Sequence, residues 1–212
     1  MFVVTGSGHS GTGWASEFFT QLGFPCGHEE WFNERLYRGM RTSDASWAAV
    51  PRLAVIGDAP LILLLRDPLA VVQSFLRSGT YRSPNTSCVM TRYTYDQLPS
   101  LKSTPDELGR CIVRTADWDM PAQSHHLLMT LRIEDMALNS PDWWDEVSAM
   151  VRFVTGETVS EDKAGQVLYD LGKNYNAHAR DARVDLSWED ILKHPLGYKL
   201  VERATQFGYE VN

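Results

Sequence analysis

Residues 60–65, PLILLL, carry five apolar side chains in a row after the proline, with no polar residue among them. A strand with one wet face alternates apolar and polar, so an unbroken run belongs to a strand covered on both faces. Such strands occur almost only in parallel sheets flanked by helices. At this length the run is far too short to span a bilayer, which takes about 20 residues of helix.

The rest of the chain repeats the alternation that a parallel sheet requires. FVVT (2–5) reads as a short strand that stops at Gly6, and Trp14, Phe18 and Leu22 then recur at helical spacing. Pro68 suits a first helical turn, and Leu69, Val72, Phe75 and Leu76 share one face of a helix that ends at Gly79. Residues 107–118 again follow a helical pattern, HLLMTLRI (126–133) reads as a second buried strand, and the remainder is helical around a polar break at 172–187. GFPCG (23–27) is a weaker strand, HEEWFNERLY (28–37) a loop or short helix, and 80–105 a loop-rich insertion of the kind that carries substrate contacts. The expected fold is α/β, a three-layer α/β/α sandwich with a mostly parallel central sheet, whose ligands sit at the carboxyl ends of the strands.

With 212 residues, 43% hydrophobic and 22% charged, a single domain over 1–212 is expected. The net charge of −7 argues against a sequence-blind grip on nucleic acid or on an anionic membrane, both of which need broad positive surface. Anion binding must then be local. Cys26, Cys88 and Cys111 are odd in number and far apart, which excludes a disulfide framework and a structural zinc site and predicts reduced, buried thiols. Nor is there another cluster with metal-ligand spacing. The chain passes from Met1 straight into a strand, without the basic and long apolar segments of a signal peptide, so a cytoplasmic protein is expected.

The first strand runs into VVTGSGHSGTGW (3–14), glycines and small hydroxyl residues before a helix. Bared backbone N–H groups and the positive end of a helix hold phosphate oxygens, and three readings compete. Gly6, Gly8 and Gly11 satisfy the G-x-G-x-x-G dinucleotide spacing, with Glu29 or Glu30 near the expected acidic position, but GFPCG is a poor second strand for that purpose. Gly6 to Gly11 also has Walker A spacing, yet Thr12-Gly13 stands where lysine and a hydroxyl residue should follow, so NTP hydrolysis lacks two of its working parts.

In the third reading, HSGTGW (9–14) resembles the K-S-G-T-T-W loop of the sulfotransferases that use 3′-phosphoadenosine 5′-phosphosulfate (PAPS) and have a P-loop-like fold. LILLLRDPLAVVQSF (61–75) resembles the 3′-phosphate motif of that family, a buried strand delivering an arginine, Arg66, and eight residues on a serine, Ser74. LRIEDM (131–136) is similar to its L-R-Y-E-D-L strand end, and 194–209 resembles its closing helix less specifically. The resemblance implies a donor site made of Gly8, His9, Ser10, Gly11, Thr12, Gly13, Trp14, Arg66 and Ser74, with Trp14 in the adenine-stacking position. Independently of any family, a guanidinium at a strand end offers a bidentate fork to phosphate.

Three positions depart from the family pattern. His9 replaces the loop lysine that neutralises the leaving oxygen, and an imidazole with an ordinary pKa near about 6.5 becomes more charged beside a phosphate. His9 therefore either donates to that oxygen or only braces the loop. Gly13 replaces a hydroxyl residue, and Ile133 replaces a tyrosine. CGHEEWF (26–32) stands where several family members place a catalytic Glu or His, which makes Glu29 the chosen general base, with His28 and Glu30 close behind. Lys173, Arg180 and Arg183 are further candidates for the 3′-phosphate. The implied activity is sulfuryl transfer from PAPS to a hydroxyl or amine of a small-molecule or glycan acceptor. The acidic surface disfavours polyanionic glycans, while Trp31, Phe32 and the aromatics of 80–95 favour a phenolic or apolar acceptor. The competing classes are a non-catalytic nucleotide-binding protein of the same fold and a Rossmann-type NAD(P) oxidoreductase.

Overall fold

The computed structural model describes residues 1–30, 42–175 and 184–212, the side chains of 173–175 excepted. Trp31, Phe32, Arg180, Arg183 and the side chain of Lys173, named above as candidates, lie outside what is described. Among the described residues the chain is α/β, with ten α-helices and a five-stranded sheet in which every paired strand is parallel.

The strands are β1 (Val3–Thr5), β2 (Cys26–His28), β3 (Ser43–Ala45), β4 (Leu61–Leu65) and β5 (Leu128–Arg132), in the spatial order β2-β3-β1-β4-β5. Every residue of β4 is buried, as its unbroken apolar run requires. The second expected strand is a different case: of β5 only Leu131 is buried, because β5 lies at the sheet's edge with one neighbour, β4. β3 is invisible to hydropathy, being Ser-Asp-Ala and yet buried at all three positions.

The chain divides into two compact units, Met1–Arg66 with Pro121–Asp181, and Asp67–Met120 with Ala182–Asn212. The first holds the sheet. Its core joins Val4, Ile62, Leu64 and Leu131 of the sheet to Phe18, Phe19 and Leu22 of α1 (Thr12–Leu22), and a short turn of helix, α2 (Leu53–Ile56), precedes β4. The same core takes in Val147, Met150 and Val151 of a later helix over Trp143–Thr155, and Ala164, Leu168 and Leu171 of one over Glu161–Tyr175. α1 stops at Gly23, whose φ of 99° lets its own N–H turn back onto the Thr20 carbonyl and the Phe24 N–H onto the Phe19 carbonyl.

The second unit is helical. α3 (Pro68–Ser78) starts where Asp67 accepts from the Leu69 N–H and ends at left-handed Gly79, as its sequence predicts. Segment 80–105 is not the irregular insertion expected: it contains α4 (Val89–Gln97) and α5 (Ser100–Ser103). A buried arginine explains its order. Arg110, on α6 (Glu107–Asp117), donates to the carbonyls of Tyr81, Arg82, Thr104 and Pro105 and so ties both ends of the segment to one guanidinium. The helices of the first unit named above are α7 (Trp143–Thr155) and α8 (Glu161–Tyr175), and α9 (Trp188–Lys193) and α10 (Gly197–Gln206) close the chain. Val72, Phe75, Tyr95, Ile112, Trp188, Ile191 and Leu200 form the second core. The buried Arg203 guanidinium is paired there with the equally buried carboxylate of Asp119.

Among the described residues no helix is long and apolar enough to cross a membrane. Cys26 and Cys111 are buried, whereas Cys88 is exposed, contrary to the expectation for all three.

Candidate functional site

In a parallel sheet a ligand crevice opens where connections leave neighbouring strands in opposite directions. β1 is followed by β2 on one side of it in the sheet, and β4 is followed by β5 on the other, so the β1/β4 boundary is that point. The loop 6–11 leaves β1 there, and Arg66 leaves β4.

The loop is built by close backbone approach. A Cβ on Gly6 would stand 2.2 Å from the Ser10 Oγ and 2.5 Å from the Leu64 carbonyl oxygen, so only glycine lets β1 turn this close to β4. Gly8, His9 and Gly11 then take positive φ values of 81°, 52° and 105°. The chain bares its N–H groups as it coils in this way and enters α1 at Gly11 with no side-chain cap. Ile133 packs from β5's end against Gly11, where an added Cβ would meet its Cδ1 at 2.5 Å.

Ser10 points inward. Its Oγ is buried and has no hydrogen-bond partner among the described residues, an arrangement that costs about 1–3 kcal/mol unless a ligand or water satisfies it. His9 is exposed, and its carbonyl accepts from Arg66 Nη1 at 3.1 Å. The resemblance assigns Arg66 to a 3′-phosphate, but here its guanidinium lies on the loop itself. Trp14, half-buried, stacks on Phe18 with ring centroids 5.1 Å apart and planes 9° from parallel. Gly13 is half-buried in the first turn of α1. Ser74 is half-buried on α3 of the second unit.

The three candidate bases lie at the end of β2, His28 as its last residue and Glu29 and Glu30 just after it, and the structure separates their roles. Glu29 has φ 61°, a left-handed conformation costly for a residue with a Cβ, and its N–H continues the ladder to the Ala45 carbonyl at 3.2 Å. Its carboxylate accepts from two hydroxyls, Thr12 Oγ1 on one oxygen at 3.3 Å and Ser46 Oγ on the other at 2.8 Å. Thr12 belongs to α1's first turn, so this carboxylate is coupled directly to the glycine loop. Ser46 is locked in turn: its Oγ accepts from the Ala48 N–H, its N–H donates to the Val4 carbonyl, and its carbonyl accepts from Thr5 Oγ1.

His28 Nε2 lies 3.4 Å from the Glu29 carboxylate. The hydrogen bond to Glu29 raises the His28 pKa above its ordinary value; burial works against this, and the charges of Glu29 and Asp44 add to it. Glu30 is held away from the cluster's centre, its N–H donating to Asp44 Oδ1 at 3.3 Å and its Cγ lying against Gly27. Asp44 itself is fully buried on β3 and, after burial itself, is a cause of the rise of the Cys26 thiol to about 12. Ser46 and Asp44 went unnoticed in the sequence because a three-residue polar strand has no hydrophobic period to mark it.

Glu134 and Asp135 lie in the turn after β5, where Arg132 Nε is 3.3 Å from the Asp135 carboxylate. His125 bonds the Ala59 carbonyl at 2.9 Å and His126 faces Asp58 at 3.3 Å. Among the described residues no group of three or more His, Cys, Asp or Glu side chains is placed to hold a metal ion.

Chemically, the arrangement offers a loop with left-handed turns at Gly8, His9 and Gly11, a guanidinium bonded to it, and an oriented carboxylate 3.3 Å from the threonine that opens α1. Compared with protein-family models, curated proteins and solved structures, the chain matches none.

Proposed function

We propose that the chain is a PAPS-dependent sulfotransferase with the three-layer, P-loop-like fold of that family, acting on a hydroxyl or amine of a small acceptor. The observation that supports this best is the meeting, at the carboxyl edge of one parallel sheet, of loop 6–11, Arg66 and a carboxylate held by Thr12, the residue that follows the loop in the first turn of α1. A phosphate-bearing nucleotide fits the residues present. The loop takes left-handed turns at Gly8, His9 and Gly11, α1 begins without a side-chain cap, and the buried Ser10 hydroxyl lacks a partner.

When bound, the donor supplies a sulfuryl group activated by its bond to a phosphate. Loop N–H groups and the start of α1 would hold the 5′-phosphosulfate, and His9, exposed on the loop, would donate to the bridging oxygen. Glu29 would take the proton of the acceptor hydroxyl as that oxygen bonds to sulfur and the sulfur–oxygen bond to the phosphate breaks, releasing adenosine 3′,5′-bisphosphate. Thr12 and His28 share one oxygen of that carboxylate and Ser46 takes the other, which fixes its plane and leaves the Ser46-bound oxygen a further lone pair for the proton.

The strand order weighs against the oxidoreductase reading. In the doubly wound dinucleotide fold β2 is the neighbour of β1, and the acidic residue at its end reaches the ribose; here β3 lies between them.

Thermal unfolding with adenosine 3′,5′-bisphosphate, AMP, ATP and NAD tests the proposal. A ligand at a hundred times its Kd adds about 2.7 kcal/mol, and the bisphosphate is expected to give the largest shift. A larger shift with NAD, or none with the bisphosphate, refutes it. An acceptor screen with labelled donor then identifies the substrate, and Glu29→Gln is expected to abolish turnover while the bisphosphate still binds.

A further inference from the structure

Two donors meet on one oxygen of Glu29. Thr12 Oγ1 donates to Oε1 at 3.3 Å and His28 Nε2 lies 3.4 Å from the same atom, whereas Ser46 Oγ takes Oε2 at 2.8 Å. Each donor draws on the charge of that oxygen, so the two weaken one another. Thr12 is buried, and Glu29 is its hydrogen-bond acceptor among the described residues. The same threonine opens α1, whose first turn has no side-chain cap, and it stands two residues after Ser10, whose buried Oγ has no partner among the described residues. A phosphate or sulfate group seated over that turn only accepts hydrogen bonds, and it would compete for every donor there. A hydroxyl has a single hydrogen, so Thr12 can give it to the carboxylate or to the anion, not to both.

We propose that Thr12 is a one-hydrogen switch between loop and carboxylate: an anion in loop 6–11 draws the Thr12 hydroxyl away from Glu29 and leaves Oε1 to His28, which links anion binding to the charge of His28. Ser46 keeps the plane of the carboxylate in both states. His28 then holds its proton more tightly when the loop is filled, and by reciprocity the anion is held more tightly as pH falls through the His28 titration. The unliganded site already leans this way, since the hydrogen bond to Glu29 raises the His28 pKa; burial opposes the rise, and the charges of Glu29 and of Asp44 on β3 add to it. α1 also packs on β2, through Ser16 Oγ on the Cys26 carbonyl, and its one ionisable residue, Glu17, is exposed and accepts from Gln21. Glu30 donates its N–H to Asp44, and the Cys26 thiol, pushed up to about 12, stays neutral. In the proposed reaction the switch ties the state of the base to the presence of the donor. It rests on the anion-binding part of that reading, not on the identity of the transferred group.

The His28 imidazole, assigned through His28→Gln, is titrated by NMR in the wild type, Thr12→Val and Thr12→Ser. Each protein is measured with saturating inorganic sulfate, with adenosine 3′,5′-bisphosphate, and in chloride of equal ionic strength. Sulfate stays a dianion across the range, and resolving the residues keeps the response of His9 apart. In chloride, Thr12→Val is expected to bind the His28 proton about twofold or more tightly than the wild type, a fraction of one hydrogen bond, and Thr12→Ser to titrate with the wild type. Both anions raise the wild-type midpoint further; in Thr12→Val only their charge acts, and the rise is smaller by that same factor. A merely structural role for Thr12 would not raise the His28 midpoint, and Thr12→Ser controls for the fold. Equal midpoints for Thr12→Val and the wild type in chloride, or an equal rise with anion in both, overturn the inference; where the bisphosphate is still preferred, the sulfotransferase reading stands. A rise that depends on Thr12, with no preference for the bisphosphate over sulfate, supports the inference and removes the sulfotransferase reading. A wild type that binds neither anion overturns both.

Discussion

Gly6→Ala tests the geometry on which the site depends. The added methyl would lie 2.2 Å from Ser10 Oγ and 2.5 Å from the Leu64 carbonyl oxygen, where ordinary contacts begin near 3.4 Å. The two collisions are unequal. Ser10 is a small side chain that can rotate, whereas the Leu64 carbonyl belongs to the backbone of β4, which is paired with β1 on one side and β5 on the other. Relief on that side means moving β1 and β4 apart by most of an ångström at Thr5↔Leu63, next to the mutated residue. Overpacking of this kind costs about 1–3 kcal/mol, and for a chain of this size each kcal/mol lowers Tm by about 2–4 °C. We expect Gly6→Ala to lose about 2–12 °C in a thermal melt and to weaken bisphosphate binding at least as much as stability, because the displaced strand end carries the loop. The double variant Gly6→Ala/Ser10→Gly removes the softer collision only and is expected to recover a minority of the loss. Full recovery in the double variant, or a single variant that melts with the wild type, refutes the argument that β4's backbone fixes the turn.

Two further outcomes follow from the charges. The His28 pKa is raised chiefly by its hydrogen bond to Glu29, so charged His28 contributes stability that is fully present below its unfolded value of about 6.5 and is lost as pH rises through the higher folded value. Glu29→Gln is expected to bring the imidazole titration, followed by NMR, back toward about 6.5; an unmoved midpoint would show that the pair is not formed in solution. In the second unit, the side chains of Arg203 and Asp119 are 4% and 2% exposed, so Asp119→Ala strands a buried guanidinium at a cost of about 3–5 kcal/mol in urea unfolding. A loss below about 1 kcal/mol would mean that water reaches Arg203.

The elements readable in the sequence are those whose burial is written in side-chain type. The PLILLL run became β4, an interior strand buried along its whole length, and the helices at 68–78 and 107–117 follow from apolar spacing, the first also from Pro68 and Gly79 at its ends. Edge status was not readable: HLLMTLRI has the composition of a central strand, yet among the described residues β5 has a neighbour on one side alone and is half-exposed. Segment 80–105 failed for a related reason. α4 has a weak apolar face, and what orders the segment is one arginine at position 110 reaching back to four carbonyls, an interaction without local signature.

The same contrast runs through the site. Glycines are conspicuous in a sequence because few backbone geometries need them, and Gly6, Gly8 and Gly11 marked the loop; strand ends are equally conspicuous, and they marked Arg66. Glu29 was selected from three neighbouring candidates by resemblance alone, whereas the structure distinguishes it by its partners, since only its carboxylate is shared between the loop's Thr12 and the end of β3. That distinction depends on Ser46, and Ser46 depends on β3 lying between β1 and β2, a choice of strand order that no local pattern encodes. A site of this kind has one half set by backbone conformation, legible residue by residue, and another set by which strand lies next to which. The second half decides which acidic residue faces the loop, because with β2 directly beside β1 the hydroxyl of Ser46 would not stand between Glu29 and the Val4–Thr5 backbone that now holds it.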